Sequence, residues 1–154
     1  MIRRSKSRMA LCVALLIFNL VFIWGNSMLP ASVSGALSRW LRDLLGIVSQ
    51  GSEDAGEGLL RKLAHFGEFC LLGMCLSWLL GMLMNKGFRI AAMAVAGGIF
   101  TACVDEAIQS LSPGRNPSLV DVGIDTAGAA VGMMLLFLGY NFFKNKNNIW
   151  RKIQ

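Results

Sequence analysis

"RKLAHFGEFCLLGMCLSWLLGMLM", residues 61–84, joins two cations, the only histidine of the chain and a glutamate to a long apolar run. A helix needs about 20 residues to cross a hydrocarbon core of about 30 Å. Leu63 to Met84 supplies that length, and no charge interrupts it after Glu68. Composition settles whether this is a buried helix of a soluble protein or a membrane span. Of 154 residues, 55% are hydrophobic and 16% are charged, whereas a soluble domain carries about 25% charge. Mean hydropathy is +0.55. The chain reads as an integral membrane protein, a single transmembrane domain over residues 1–154.

Working outward, three further runs approach spanning length: about 9–25, 88–109 and 122–143, beside 63–84 itself. The first has the basic start and short core of a signal peptide, but "GNSMLPASVSG" after it lacks a clean A-x-A site, which favours a retained anchor. The expected fold is all-α, an integral membrane four-helix bundle. With the N-terminus inside, ten Lys and Arg fall in cytoplasmic segments and five (Arg39, Arg42, Arg61, Lys62, Arg115) in outer ones. That asymmetry predicts both termini in the cytoplasm. The net charge of +6 therefore points to an anionic leaflet rather than to nucleic acid, since the basic residues flank the apolar runs. Cys12, Cys70, Cys75 and Cys103 lie in apolar runs without a C-x-x-C pair and read as small buried hydrophobes.

Between the first two spans, "SGALSRWLRDLLGIV" repeats Leu37, Trp40, Leu41, Leu44 and Val48 at helical spacing, with Arg39, Arg42 and Asp43 mostly opposite. Too short and polar to span, it is expected at about 36–48 as an amphipathic helix on the outer membrane surface. "GSEDAGEG" after it reads as a flexible acidic link.

The polar residues of the spans fall at one height. At 1.5 Å per residue from the cytoplasmic ends, Asn26, His65, Glu68, Asp105, Glu106, Gln109, Asp121 and Asp125 all lie about 24–33 Å up. Arg61, His65 and Glu68 share one helix face, as do Asp105 and Gln109. Asp121 and Asp125 continue into Gly128 and Gly132, a G-x-x-x-G stripe that turns both aspartates toward the bundle. Ionisable groups at such depth pair with one another or line a watery cavity.

"NSMLP", "RKLAHFGEF", "DEAIQSLSPGRNPSLVDV" and "DTAGAAVG", in this order and spacing, resemble the VanZ-like family of bacterial membrane proteins over about residues 15–140. The family's recurrent polar positions match Arg61, Lys62, His65, Glu68, Asp105, Glu106, Gln109, Arg115 and Asp121. Where the family often has Asn, this chain has Asp125, which adds a charge. The resemblance implies action at the bacterial cell envelope and, through the founding member, a link to resistance to the glycopeptide teicoplanin.

Two readings of each group stand side by side. His65 beside Glu68 is suited to acid–base work and equally to tying helices together. Asp105 and Glu106 make either a catalytic carboxylate with its helper or a pair in which one binds Arg115 or Arg61 and the other meets water. Arg115, in the rigid turn "SPGRNPS", grips a phosphate or carboxylate ligand, or clamps Asp121 or Glu106 internally. Ser118 with Asp121 fits a helix N-cap with an acidic third position. No metal site is expected: H-x-x-E alone is weak, a second histidine is missing, and three cations oppose an ion. No cofactor motif is present, and nothing indicates a transporter's broken helices.

These readings combine into one expectation. An outward-facing polar pocket modifies or binds a lipid-linked or anionic envelope component, with His65, Glu68, Asp105 and Glu106 as acid–base candidates. Arg61, Lys62, Gln109, Arg115, Asp121 and Asp125 would hold the ligand. Membrane lipids, an envelope precursor or a glycopeptide are the expected partners. The alternatives are a binding protein without chemistry, and a structural membrane protein whose polar residues are interhelical ties.

Overall fold

The computed structural model describes residues 2–44, 53–85 and 87–153. It consists of five helices: α1 (Ile2–Ser27), α2 (Ala31–Leu44), α3 (Glu53–Leu83), α4 (Gly87–Ser110) and α5 (Leu119–Ile153). No strand occurs among the described residues. Four stretches are long and apolar enough to cross a membrane: Lys6–Ser27, Gly58–Leu83, Gly87–Ser110 and Leu119–Phe142. In lipid every backbone N–H and C=O must find its partner within the segment, which the uninterrupted helices provide.

The boundaries differ from the expected ones in an informative way. The second span opens at Gly58 rather than Leu63, so Arg61 and Lys62 stand on the helix instead of before it. The acidic link is also helical from Glu53 onward, which corrects the flexible reading of that part. The amphipathic helix starts at Ala31, earlier than expected, because Pro30 initiates it and its first amide donates to Pro113 O at 3.1 Å. It runs to Leu44; the rest of the expected stretch, 45–48, lies outside the described residues. Past Phe142, α5 continues to Ile153.

Packing centres on α3 and α5, the most extensive helix contact among the described residues. Glycines make it possible. A Cβ on Gly73 would overlap the carbonyl of Ala129, one on Gly128 the carbonyl of Phe66, and one on Gly132 the carbonyl of Cys70. The two backbones thus touch at three levels, and the G-x-x-x-G stripe faces α3. Beside this seam Ile23, Phe69, Leu72 and Ala102 form the buried apolar core, with Leu16, Leu20, Trp24, Leu76 and Val122 packed around it. Large apolar side chains elsewhere, such as Phe18, Phe22, Leu71, Phe100 and Leu138, point outward, as a lipid-facing surface requires. The cysteines are all free. Cys12 is buried, Cys70 and Cys75 are half-buried, and Cys103 is exposed on α4, so the buried reading fails for Cys103.

A valine at Gly132 has to displace the backbone of α3, whereas the neighbourhood of Gly139 is open. Gly132→Val is expected to cost about 3 kcal/mol or more, beyond ordinary overpacking because backbone must move. Gly139→Ala is expected to be neutral or stabilising by up to about 1 kcal/mol. Thermal unfolding of both variants in one detergent checks the contrast.

Candidate functional site

The polar layer assembles from the ends of four helices and one loop. Asn26 and Ser27 close α1; Arg61, Lys62, His65 and Glu68 stand on the first turns of the α3 span. Asp105, Glu106 and Gln109 end α4, Arg115 lies in the α4–α5 connection, and Asp121 and Asp125 begin α5. Because α3 and α5 descend from this end while α1 and α4 arrive at it, residues distant in sequence meet at one level.

Asp105 sits at the centre with no exposed surface. Ser27 Oγ donates to its Oδ1 at 2.6 Å, and Gln109 Nε2 donates to its Oδ2 at 2.7 Å. Ser112 Oγ in turn donates to Ser27 O at 2.9 Å, which fixes the end of α1 against the connection. Glu68, also buried, accepts from Asn26 Nδ2 at 2.9 Å through Oε1, and its backbone carbonyl accepts from Asn19 Nδ2 at 3.3 Å. His65 Nδ1 lies 3.6 Å from Glu68 Oε2 and 3.9 Å from Asp105 Oδ2, near both and hydrogen-bonded to neither. Asp125 is buried beside them, 2% exposed.

The internal ion pairs expected for Glu106 and Arg115 do not form among the described residues. Glu106 Oε1 accepts from the Ser118 backbone amide, so it caps the approach to α5. Ser118 Oγ accepts from Val120 N at 3.2 Å, the N-cap expected from the sequence. Arg115 is 7% exposed and donates Nη2 to Asn26 O at 3.2 Å, while Nε and Nη1 have no partner. Among the described residues it clamps neither Asp121 nor Glu106 within ion-pair distance. Burial, and then the charge of Arg61, push the Arg115 guanidinium below its usual range, although it keeps its proton. The partner of Asp121 is Lys62, at 3.0 Å.

A cleft between α3 and α5 reaches the layer, lined by Arg61, Lys62, His65, Gln109, Asp121, Ile124 and Asp125. Its cavity of about 10 Å³ is narrower than the open pocket expected from the sequence. That volume matches about one water molecule. Glu68 and Asp105 lie behind the cleft, not on its wall.

Every site residue named from the sequence thus lies in the layer, although not all share the cleft. Ser27, Asn19 and Ser112 join the layer as well, beyond the residues expected from the sequence. Ser27 is a donor to a buried carboxylate. "NSMLP" carried its signal, since Asn26 and Ser27 end an apolar run at the same height as the charges.

Removing the Ser27 hydroxyl leaves one oxygen of Asp105 without its donor in a buried site. Ser27→Ala is expected to lower stability by about 1–3 kcal/mol. The neighbouring, exposed Met28→Ala is expected to change it by less than about 0.5 kcal/mol. Unfolding midpoints in detergent distinguish the two.

No curated protein and no solved structure matches this chain. The VanZ/LLP1 family matches residues 7–143, nearly the whole length and all four apolar helices. Together with those helices, this makes the chain a multi-pass membrane protein that belongs to the VanZ/LLP1 family.

Proposed function

We propose that this protein acts at the bacterial cell envelope, where it modifies or binds a lipid-linked or anionic envelope component at the polar layer. The observation that carries the reading is the set of buried groups with unused bonding capacity at one end of the bundle. Both ring nitrogens of His65, one oxygen each of Glu68 and Glu106, and two guanidinium nitrogens of Arg115 have no hydrogen-bond partner. Such capacity is costly in a membrane bundle and marks functional sites. Arg61, Lys62 and Arg115 suit an anionic ligand, with Gln109, Asp121 and Asp125 placing it. His65, Glu68, Asp105 and Glu106 are the acid–base candidates. In this reading the bacterial cytoplasmic membrane holds the protein with both termini inside and the polar layer facing out. The expected partners are membrane lipids and an envelope precursor or glycopeptide, and nucleic acid is not among them.

A second reading has its own support. The hydrogen bonds Asn26–Glu68, Ser27–Asp105 and Ser118–Glu106 tie α1, α3, α4 and the start of α5 together, and the cavity is small. On that reading the layer is an interhelical clasp, or a binding surface without chemistry.

Teicoplanin tolerance conferred on a sensitive host separates these readings. At matched expression, His65→Ala and Glu68→Ala are expected to abolish the gain in tolerance without a proportionate loss of thermal stability. Unchanged tolerance would overturn the envelope assignment, while a loss that tracks the unfolding midpoint would support the clasp. Glu68→Asp keeps the charge, so acid–base work collapses with it and simple binding survives in part.

Orientation has a separate check. A C-terminal alkaline phosphatase fusion is expected to be inactive and a C-terminal fluorescent protein bright. The reverse pattern would place the polar layer on the cytoplasmic side.

A further inference from the structure

At the deepest point of the layer, three helices bring together donor atoms that the readings above leave without a joint role. A nitrogen of His65 on α3 and a carboxylate oxygen each from Asp105 on α4 and Asp125 on α5 lie within 4.8 Å of one another. All three residues are buried. Metal–ligand bonds of about 2.0–2.2 Å place donors around one ion about 3.0–4.4 Å apart. Small side-chain rotations therefore close this set onto a single ion. We infer that His65, Asp105 and Asp125 bind a divalent metal ion of the zinc or manganese class.

Three independent observations support the site. The first is His65 itself, 6% exposed, with neither ring nitrogen hydrogen-bonded and its ring within the cluster. A buried imidazole without partners is rare unless it has a ligand to meet. The second is charge. The layer holds five carboxyl groups (Glu68, Asp105, Glu106, Asp121, Asp125) against three permanent cations (Arg61, Lys62, Arg115), an excess of two acidic groups. Lys62 is engaged by Asp121, and among the described residues no Lys or Arg lies within ion-pair distance of Asp105 or Asp125. A divalent ion fits between two carboxyl groups that no described Lys or Arg reaches. The third is the support around Asp105. Ser27 and Gln109 each hold one of its oxygens and leave further lone pairs free, the arrangement by which outer groups orient a metal-binding carboxylate.

Imidazole with two carboxylates suits Zn²⁺ or Mn²⁺ better than Mg²⁺ or Ca²⁺, which take oxygen donors alone. The small cavity in the cleft touches His65, Gln109 and Asp125 and matches one water, so a further coordination position opens toward Arg61 and Lys62. The inference departs from the expectation drawn from sequence, where one histidine and nearby cations argued against a metal. Chain spacing does not reveal a ligand set spread over three helices. It is also independent of the envelope reading, because ion binding is measured without any envelope ligand.

The test uses the full chain purified in detergent, stripped with a chelator, and titrated with Mn²⁺ followed by electron paramagnetic resonance. A single bound equivalent is expected, displaced by Zn²⁺. His65→Gln and Asp125→Asn should each weaken binding about tenfold or more, whereas Asp121→Asn, in the same layer but outside the ligand set, should change it little. Circular dichroism and gel filtration confirm folding. Should His65→Gln fail to fold, Asp125→Asn and Asp105→Asn, which keep side-chain shape, carry the comparison. The inference is overturned if the wild-type chain takes up neither ion at millimolar concentration, or if these variants bind as the wild type does.

Discussion

Asp105 places a carboxylate with no exposed surface inside a helix that is long and apolar enough to cross a membrane. An ionised group there is tolerable only where its oxygens are satisfied and its charge is met. Ser27 reaches it from α1 and Gln109 from within α4, and His65 stands 3.9 Å away on α3. The rest of the layer follows from this demand. Ser27 must end α1 at the right height, so Ser112 holds its carbonyl and Arg115 holds that of Asn26. Asn26 is then placed to donate to Glu68. The α4–α5 connection is short and buried at Ser112 and Arg115 because it serves the ends of other helices as well as its own.

Much of this arrangement was legible in the sequence, for a physical reason. A bilayer imposes one length scale, so counting residues from each cytoplasmic end gives a height, and helical phase gives a direction. His65, Glu68, Asp105, Gln109 and Asp125 could be assigned to one buried level on those two numbers alone, and the Gly128–Gly132 stripe to a packing face. The pairings were harder to read. Arg115 looked like a partner for Asp121 or Glu106, yet the turn directs it to the carbonyl of Asn26, and Lys62 takes Asp121. Partner choice among five carboxylates and three cations depends on side-chain direction at the ångström scale, which height and phase do not resolve. The start of α3 was not legible because "GSEDAGEG" has the composition of a linker, yet the chain is helical from Glu53.

The layer combines two opposed properties. Its hydrogen bonds lock helix ends together, yet several of its strongest donors and acceptors remain unused. A purely structural clasp would be expected to satisfy them, since unmet polar groups cost more than met ones contribute. A freely open pocket would expose them to water. The narrow cleft between α3 and α5 is a middle case, reaching the layer beside His65 and Asp125.

The seam between α3 and α5 bears on this site from below. Gly73, Gly128 and Gly132 each meet a backbone group of the other helix. Contacts of that kind act as notches: side chains can flex past one another, but main chain seated against main chain resists sliding. A one-turn slip of about 5.4 Å would carry Asp121 to the height of Asp125, since four residues separate them. His65 would then face Asp121, and the Lys62–Asp121 pair would be drawn apart. The glycines therefore set the vertical gauge of the bundle, and with it which aspartate the histidine meets.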